Sequence, residues 1–292
     1  MNTGNYLLEA SHYLVSLQDM HCEPEMLLRL HSAIVAALSA GETLRMFHST
    51  HRFGVYHKGE IDMVTDADMA AEKLILEAIR KDYSKAVFLS EETHAEINHE
   101  ASELWVIDPL DGTTNFAHGF PWFGISIACV VKGETVVGLV YLPVQQELFY
   151  AVKGAGAWLN GDRIHVSKTV KLSGALLATG FPYDIHQEYE GVIAALQAVL
   201  IKVQGVRRAG AAALDLVYVA CGRLDGFWEI KLKPWDTAAG VLILKEAGGK
   251  VSLFGGEPFS IFSKEILATN GLLHDDLSHI LRNFRAYDTV RK

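Results

Sequence analysis

The sequence predicts a mixed α/β fold with a largely antiparallel first half and a second half in which strands alternate with helices. Between residues 124 and 152, β-branched, aromatic and leucine residues dominate, and Lys132-Gly133 provides a turn, which is typical of strands joined by hairpins. Beyond residue 161, short apolar runs alternate with segments of helical periodicity, which favours an α/β layer packed on the first half. Half of the residues are hydrophobic, enough for a substantial core.

The 292 residues suit one large domain or two closely packed ones, with a division near residue 160. We expect an N-terminal addition at 1–22, an α+β half at 23–160 and an α/β half at 161–292. Within the addition, residues 5–18 predict a short helix packed on the surface.

The first half is predicted to open with a helix that starts at residues 23–25 and runs to about 47, because Leu27, Leu30 and Ile34 recur at helical spacing. Pro24 lies at its start, and proline is well tolerated in a first helical turn. The remaining elements are, in order, a loop or hairpin at 51–61, a helix at 69–80 begun by the capping box Thr65–Asp68, and short buried strands at 86–89 and 104–107.

The second half alternates strands and helices from its start, and Gly248-Gly249 closes its last predicted helix. Its predicted elements are a strand at 175–178, helices at 189–202 and 211–221, a strand at 224–230 and a helix at 234–246. This order of elements is the basis for assigning the half to the α/β class.

The formal net charge of −9 argues against a nucleic-acid-binding protein, which usually presents a basic surface. It is compatible with a phosphate substrate if metal ions supply positive charge at the site. Cys22, Cys129 and Cys221 lack the spacing of a zinc site or a disulfide framework. No apolar run is long enough to span a membrane, and the N-terminus does not resemble a secretory signal, so the expected location is cytoplasmic.

The segment from Trp105 to Phe116 carries the strongest chemical signal. An apolar strand ends in Asp108, and Pro109 and Gly112 predict a tight turn that carries Asp111. Two carboxylates three residues apart on a rigid turn can bridge hard cations such as Mg²⁺. Backbone N–H groups at Thr113 and Thr114 would face an anion. Taken alone, the segment also fits an ordinary Asp-Pro turn without chemistry.

Three further acidic segments accompany it. Glu91-Glu92 follows a short buried strand, at the kind of edge where α/β proteins bind ligands, although a solvated acidic loop also fits. Asp236 lies at the start of a predicted helix, where a capping carboxylate is the simple alternative. Asp62 precedes Asp66 and Asp68, which we assign to capping the helix that follows.

Taken together, these segments resemble the inositol monophosphatase family, which belongs to the lithium-sensitive, magnesium-dependent phosphatases. The four motifs stand in the family's order and are Asp62-Met63-Val64-Thr65-Asp66, Ser90-Glu91-Glu92, Trp105 to Phe116, and Pro234-Trp235-Asp236. The resemblance covers about residues 25–285. It implies a layered αβαβα sandwich of the inositol monophosphatase and fructose-1,6-bisphosphatase type, with most metal-binding residues in the half at 23–160.

The resemblance also implies two or three Mg²⁺ ions. The first would be held by Glu91, Asp108 and the Leu110 carbonyl, the second by Asp108, Asp111 and Asp236, and a third, weaker ion would lie near Glu91. Thr113 and Asp62 would form a hydrogen-bonded pair that, together with Glu91, orients and activates a water on the metal.

The implied substrate contacts follow the same motifs. They are the Gly112 and Thr113 N–H groups on the phosphate, Glu229 on a substrate hydroxyl, Lys58 on a mobile loop above the metals, and Gly210-Ala211 beside the polyol ring. The family often has serine or threonine where this chain has Ala211, so contact with an inositol ring is in question there. Arg207-Arg208 just before it would meet an extra phosphate, a subunit interface or solvent.

The implied activity is hydrolysis of a phosphate monoester of a small polyol, most closely inositol monophosphate. Fructose 1,6-bisphosphate, 3′-phosphoadenosine phosphates and histidinol phosphate are the alternative substrates within the same superfamily. The resemblance also implies a homodimer, and nothing in the sequence points to a membrane or nucleic-acid partner. A regulatory protein-binding role is the alternative from another class, but an intact set of metal-binding carboxylates favours an enzyme.

Overall fold

Two large sheets and six of the seven helices stack in five layers in the computed structural model, which describes residues 22–57, 63–93 and 102–284. The layers are a helix pair, a seven-stranded sheet, a second helix pair, a five-stranded sheet and a third helix pair. This arrangement confirms the predicted αβαβα sandwich. Within those ranges, no helix is long and apolar enough to cross a membrane.

The bounds of the elements are as follows. The helices are α1 (Pro24–Thr50), α2 (Asp66–Asp82), α3 (Thr113–Ala117), α4 (Ile185–Leu200), α5 (Ala212–Ala220), α6 (Pro234–Glu246) and α7 (His274–Leu281), with 3₁₀ turns at Leu172–Gly174 and Arg282–Phe284. The strands of the first half are β1 (Val55–His57), β2 (Met63–Thr65), β3 (Val87–Ser90), β4 (Glu103–Asp111), β5 (Gly124–Val131), β6 (Glu134–Leu142), β7 (Glu147–Val152), β8 (Gly156–Leu159) and β9 (Asp162–Ile164). Those of the second half are β10 (Leu176–Thr179), β11 (Gly205–Arg207), β12 (Gly226–Ile230), β13 (Lys250–Ser252) and β14 (Glu265–Thr269).

The two large sheets differ in strand direction. The seven-stranded sheet runs in chain order from β3 to β9, and only its β3–β4 pair is parallel. The five-stranded sheet has the order β11-β10-β12-β14-β13, with β10 parallel to both of its neighbours and β14 antiparallel to both of its own. The predicted antiparallel character of the first half is therefore confirmed, and β9 continues that sheet just past the predicted division at residue 160.

Three apolar cores bind the layers together. The first lies between the helix pair α1–α2 and one face of the seven-stranded sheet, and it includes Ile75 and Trp105. The second joins the opposite face of that sheet, through α5 and α6, to the five-stranded sheet, and it includes Val106. The third lies between the five-stranded sheet and the helices α4 and α7. Because successive side chains point to opposite faces of a strand, Trp105 and Val106 enter different cores.

The local signals of the first half place its elements well. Helix α1 begins at Pro24 as predicted, and Thr65 caps α2 in a capping box with Asp68. Strands β1 and β2 pair antiparallel, so part of the segment predicted as a loop or hairpin is a strand. The helix predicted at 5–18 lies outside the described residues.

Candidate active site

A cleft of about 640 Å³ opens where the carboxyl ends of β4, β10 and β12 approach the amino ends of α5 and α6. Every predicted site residue within the described ranges lines this cleft. These residues are Glu91, Asp108, Leu110, Asp111, Gly112, Thr113, Gly210, Ala211, Glu229 and Asp236. Lys58 and Asp62 lie outside the described residues, so the contacts predicted for them with substrate and water stay predictions.

The turn after β4 holds the first two carboxylates. The pairing of β4 with β5 shifts register between Asp108 and Asp111, and such an irregularity re-aims side chains at a sheet's end. The Leu110 N–H donates to Asp108 Oδ1 at 2.9 Å, which fixes that carboxylate. Gly112 then has φ 95°, a left-handed conformation that glycine adopts without strain, and a Cβ there would lie 2.9 Å from the Trp122 carbonyl oxygen.

Asp111 connects the two halves of the molecule. Its Oδ2 accepts a hydrogen bond of 2.7 Å from the Ala213 N–H in the first turn of α5, although the two residues are 102 positions apart. The first N–H groups of a helix have no partner within the helix, and a negative charge is favoured there. Asp111 therefore anchors the amino end of α5 against the turn that carries Asp108.

Asp236 reaches the cleft from the amino end of α6. Pro234 begins that helix, and Asp236 Oδ2 accepts a hydrogen bond of 2.6 Å from the Lys233 N–H. The capping interpretation of Asp236 is thus correct, but the residue also lines the cleft. One oxygen can serve the helix end while the carboxylate's charge faces the other acids.

Burial and mutual repulsion dominate the electrostatics of these three acids. Asp108 is 2 % exposed, and burial, followed by the charges of Glu91, Asp111 and Asp236, raises its pKa well above the usual range. Burial and then Asp236 raise the pKa of Asp111 to about 8, and burial raises that of Asp236 to about 6. Buried like charges of this kind call for a compensating cation.

The donor set fits a hard divalent cation, because carboxylate and carbonyl oxygens are the ligands that Mg²⁺ and Ca²⁺ take. Within the described residues, no three histidine, cysteine, aspartate or glutamate side chains already stand together as a finished metal-binding group. The carboxylates share a cleft and influence each other's pKa. Binding a cation therefore requires side-chain adjustment that brings the carboxylates closer around it.

Thr113 has a partner that the sequence did not predict. Its hydroxyl lies 2.9 Å from Asp68 Oδ1 and 3.0 Å from the Leu110 carbonyl oxygen. Asp68 is therefore an acid that pairs with Thr113, and the predicted pairing with Asp62, which lies outside the described residues, stays a prediction. Asp68 also caps α2, since its Oδ2 accepts from the Thr65 N–H at 2.8 Å and from the Thr65 hydroxyl at 2.6 Å. The two oxygens of one carboxylate thus perform both tasks.

Glu91 is supported by a neighbouring buried acid. Its N–H donates to the Ile107 carbonyl oxygen at 3.2 Å, which holds the end of β3 against β4. The hydroxyl of Ser90 and the N–H of Thr93 both donate to Glu72 Oε1, the latter at 3.2 Å. Glu72 of α2 therefore fixes the turn that places Glu91 at the cleft.

The opposite wall of the cleft holds a second group of acids. Glu229 is 8 % exposed, and burial, followed by Asp236, Asp215 and Asp111, raises its pKa well above the usual range. Asp215 was not predicted from the sequence. It is buried in α5, one of its oxygens lacks a partner among the described residues, and burial and then Asp111 raise its pKa.

The segment before α5 places the cation of Arg208 close to the small residues Gly210 and Ala211. Arg208 lies over the ring of Phe181, with its guanidinium carbon 5.0 Å from the ring centroid, and Arg208 partly offsets the rise in the pKa of Glu229. Gly210 has φ 86°, and Ala211 is the N-cap residue of α5 without a side-chain cap. No side-chain hydroxyl therefore faces the cleft from residue 211.

The raised pKa values predict a pH dependence of stability in the metal-free protein. In the unfolded chain an aspartate titrates near about 3.9, whereas Asp236 and Asp111 titrate at about 6 and about 8 when folded. Between these values the folded protein binds more protons, so the free energy of unfolding should decrease as pH rises from about 4 to about 8.

Denaturant unfolding in chelator at several pH values would measure this dependence. Asp111→Asn should flatten the upper part of the curve, between about pH 6 and 8, and added Mg²⁺ should raise stability most at the high-pH end. Equal slopes for wild type and Asp111→Asn in chelator would contradict the assignment of a raised pKa to Asp111.

Known proteins resemble this chain along most of its length. Residues 28–286 match the model of the inositol monophosphatase family. A Nus factor SuhB from Pseudomonas aeruginosa is 46% identical, over 82% of this chain and 91% of the relative. An inositol-1-monophosphatase from Synechocystis is 43% identical, over 86% of this chain and 88% of the relative.

Solved structures agree with these relatives. An extragenic suppressor protein suhB from Bartonella henselae superposes with a TM-score of 0.83 and 39% identity, covering 87% of this chain and 98% of the other. An inositol monophosphatase from Anabaena superposes with a TM-score of 0.80 and 42% identity, covering 89% of this chain and 97% of the other. Sequence and fold thus point to the same group of proteins.

Proposed function

Since the chain belongs to the inositol monophosphatase family, we propose that it hydrolyses the phosphate monoester of a small polyol, most closely an inositol monophosphate, in the presence of Mg²⁺. The observation that carries this proposal is the meeting of Asp108, Asp111 and Asp236 at one cleft beside the Gly112-Thr113 turn. These acids come from both halves of the chain, and they meet although their charges repel one another.

The proposed ligands follow the family pattern. Glu91, Asp108 and the Leu110 carbonyl would hold one Mg²⁺, Asp108, Asp111 and Asp236 a second, and Glu91 would lie near a weaker third. When bound, the ions would neutralise the phosphate's charge, lower the pKa of water and stabilise the departing alkoxide. The raised pKa values of the acids support the proposal, since a bound cation favours the charged carboxylates that burial and mutual repulsion disfavour.

The chain's own residues would position the reactants and move the proton. The N–H groups of Gly112 and Thr113, at the turn that ends β4, would hold the phosphate. The Thr113 hydroxyl donates its proton towards Asp68 Oδ1, so a lone pair on Thr113 Oγ is available to accept a proton from the attacking water, while Asp68 accepts the one from Thr113. Burial raises the pKa of Asp68, which makes it a better base.

The substrate's alcohol would lie against the wall formed by Glu229, Gly210 and Ala211. Glu229 is the acceptor for a substrate hydroxyl in this proposal. The wall near Ala211 offers no hydroxyl, and Arg208 lies nearby with its guanidinium over Phe181. The site therefore has fewer polar contacts for a polyol ring than a serine or threonine at 211 would give.

Ala211→Ser should raise kcat/KM for inositol 1-phosphate from a few-fold to about tenfold. The added hydroxyl can make one hydrogen bond, worth about 0.5–1.5 kcal/mol, to the ring. Steady-state kinetics on 4-nitrophenyl phosphate, which has no matching hydroxyl, is the control and should stay unchanged. An equal gain on both substrates would show that residue 211 does not face the polyol.

The alternative from another class is a regulatory role. Several relatives carry the name Nus factor, with identities of 43% to 46%, which is the observation in favour of it. The complete set of cleft carboxylates favours an enzyme, because a protein-binding surface has no need of buried acids that repel each other. Turnover decides between the two roles.

Hydrolysis of a panel of phosphate esters tests the proposed function. The panel should contain inositol 1-phosphate, fructose 1,6-bisphosphate, 3′-phosphoadenosine 5′-phosphate, histidinol phosphate and 4-nitrophenyl phosphate. We expect release of phosphate with Mg²⁺, weakening by millimolar lithium, and inhibition by Ca²⁺, which prefers looser coordination than an octahedral Mg²⁺ site offers. Full activity in excess chelator, or no release from any ester, would overturn the proposal.

A further inference from the structure

Gly180 lies directly against the carboxylate of Glu229. It follows β10, and the parallel pairing of β10 with β12 places Thr179 opposite Trp228, so the next residues on each strand, Gly180 and Glu229, are also neighbours. A Cβ built on Gly180 would overlap all three atoms of the Glu229 carboxylate group. Glu229 can keep its observed position only because residue 180 has no side chain.

No described residue holds the Glu229 carboxylate in place by hydrogen bonding. Glu229 is buried, and neither of its side-chain oxygens forms a hydrogen bond or an ion pair within 22–57, 63–93 and 102–284. Its acidic neighbours Asp236, Asp215 and Asp111 repel it, and Arg208 is the nearby cation that attracts it. Packing on the Gly180 backbone therefore defines where the carboxylate lies.

We propose that Gly180 is a positioning residue that sets the location of the Glu229 carboxylate and thereby the fit of a hydroxyl-bearing substrate. This inference rests on the proposed role of Glu229 as the acceptor for a substrate hydroxyl. Any side chain at position 180 would push the Glu229 carboxylate out of the cleft wall and into the space that the substrate would fill.

Alanine at position 180 is a clean probe of this role. Gly180 is outside the left-handed region, so alanine introduces no backbone strain. The group that it displaces is the end of a side chain rather than backbone, so the fold does not have to move. Gly191 is the matched control, because it lies in α4, outside the cleft, and a Cβ there would contact nothing within 4 Å.

The experiment is a double-mutant cycle with a structural readout. Kinetics on inositol 1-phosphate and 4-nitrophenyl phosphate would be measured for wild type, Gly180→Ala, Glu229→Ala, the double variant and Gly191→Ala, with a thermal unfolding midpoint for each. Gly180→Ala should lower kcat/KM for inositol 1-phosphate about ten- to a hundredfold, mainly through KM, because a hydrogen bond to a charged group is lost. The loss on the aryl ester should be much smaller, and Gly191→Ala should match wild type.

In the Glu229→Ala background, Gly180→Ala should cause no further loss, because the group that it displaces is gone. Additive losses, or a Gly180→Ala variant that behaves as wild type while Glu229→Ala is impaired, would overturn the inference. A crystal structure of Gly180→Ala tests the inference without reference to activity: Glu229 must be displaced into the cleft, and an unmoved carboxylate contradicts the inference. Failure of the wild type to hydrolyse any ester would instead refute the proposed function.

Discussion

Asp111→Asn is expected to lower kcat by at least about a hundredfold, because charge stabilisation by a metal is worth several kcal/mol at the transition state. The substitution keeps the shape of the side chain and removes one negative charge from the cleft. The amide oxygen of asparagine can still accept the hydrogen bond from the Ala213 N–H, so the amino end of α5 should stay in place. Loss of activity without loss of fold is therefore the expected result.

Steady-state kinetics with a Mg²⁺ titration would measure this effect. The concentration of Mg²⁺ needed for half-maximal activity should rise along with the loss in kcat, since one carboxylate ligand has lost its charge. Asp162→Asn is the matched control, because Asp162 is exposed on β9 and does not line the cleft. Near-normal turnover of Asp111→Asn at ordinary Mg²⁺ concentrations would show that Asp111 is no metal ligand.

Asp68→Asn and Thr113→Val are each expected to lower kcat by about a hundredfold or more, the usual range for losing a positioned proton acceptor. The two losses should not add in the double variant, because Thr113 Oγ and Asp68 Oδ1 are joined by one hydrogen bond of 2.9 Å. Initial rates on inositol 1-phosphate at saturating Mg²⁺ would measure all three variants.

Two neighbouring aspartates serve as comparisons for Asp68. Asp66 stands in the same first turn of α2, but its Oδ2 accepts from the Gly54 N–H, so Asp66→Asn should leave kcat close to wild type. Asp62→Asn separates the sequence prediction from the structure. A large loss of kcat for Asp62→Asn together with a small loss for Asp68→Asn would show that Asp62 is the acid that acts with Thr113.

The hydrogen bond between Thr113 and Asp68 shows what sequence spacing cannot resolve. Thr65, Asp66 and Asp68 form a clear helix start, and the capping box is present as predicted. Helix capping explains the presence of an aspartate at position 68 without any further role. A carboxylate has two oxygens, however, and only Oδ2 of Asp68 takes part in the cap. The second oxygen meets Thr113, which is 45 residues away, and no local pattern reports a contact over that distance.

The acids proposed to bind metal were easier to single out because local chemistry marks each of them. Asp108 and Asp111 follow an apolar strand at a proline- and glycine-containing turn, and Asp236 follows a proline at a helix start. Their meeting at one cleft was predicted from the family resemblance alone. Local sequence cannot show it, because contacts such as the hydrogen bond from Ala213 to Asp111 span 102 positions. Asp215 carried no signal of its own, because it is a single acid within a predicted helix.

The secondary structure was likewise predictable only where the local sequence carries a clear pattern. Long periodic helices such as α1 and α6 begin at the predicted prolines. Strands β11 and β13, with three residues each, are too short to show a period of two. Strand β14 is buried along its whole length and therefore does not alternate. These three complete the five-stranded sheet, and their positions depend on pairing with β10 and β12 rather than on local sequence.

The central claim is that Asp108, Asp111 and Asp236 hold the divalent cation on which the hydrolysis depends. Anomalous diffraction from a crystal equilibrated with Mn²⁺, which takes oxygen ligands as Mg²⁺ does, tests it most directly. We predict an anomalous peak in the cleft within bonding distance of all three carboxylates. A cleft without such a peak, in crystals of protein that is fully active with Mn²⁺, would contradict the claim.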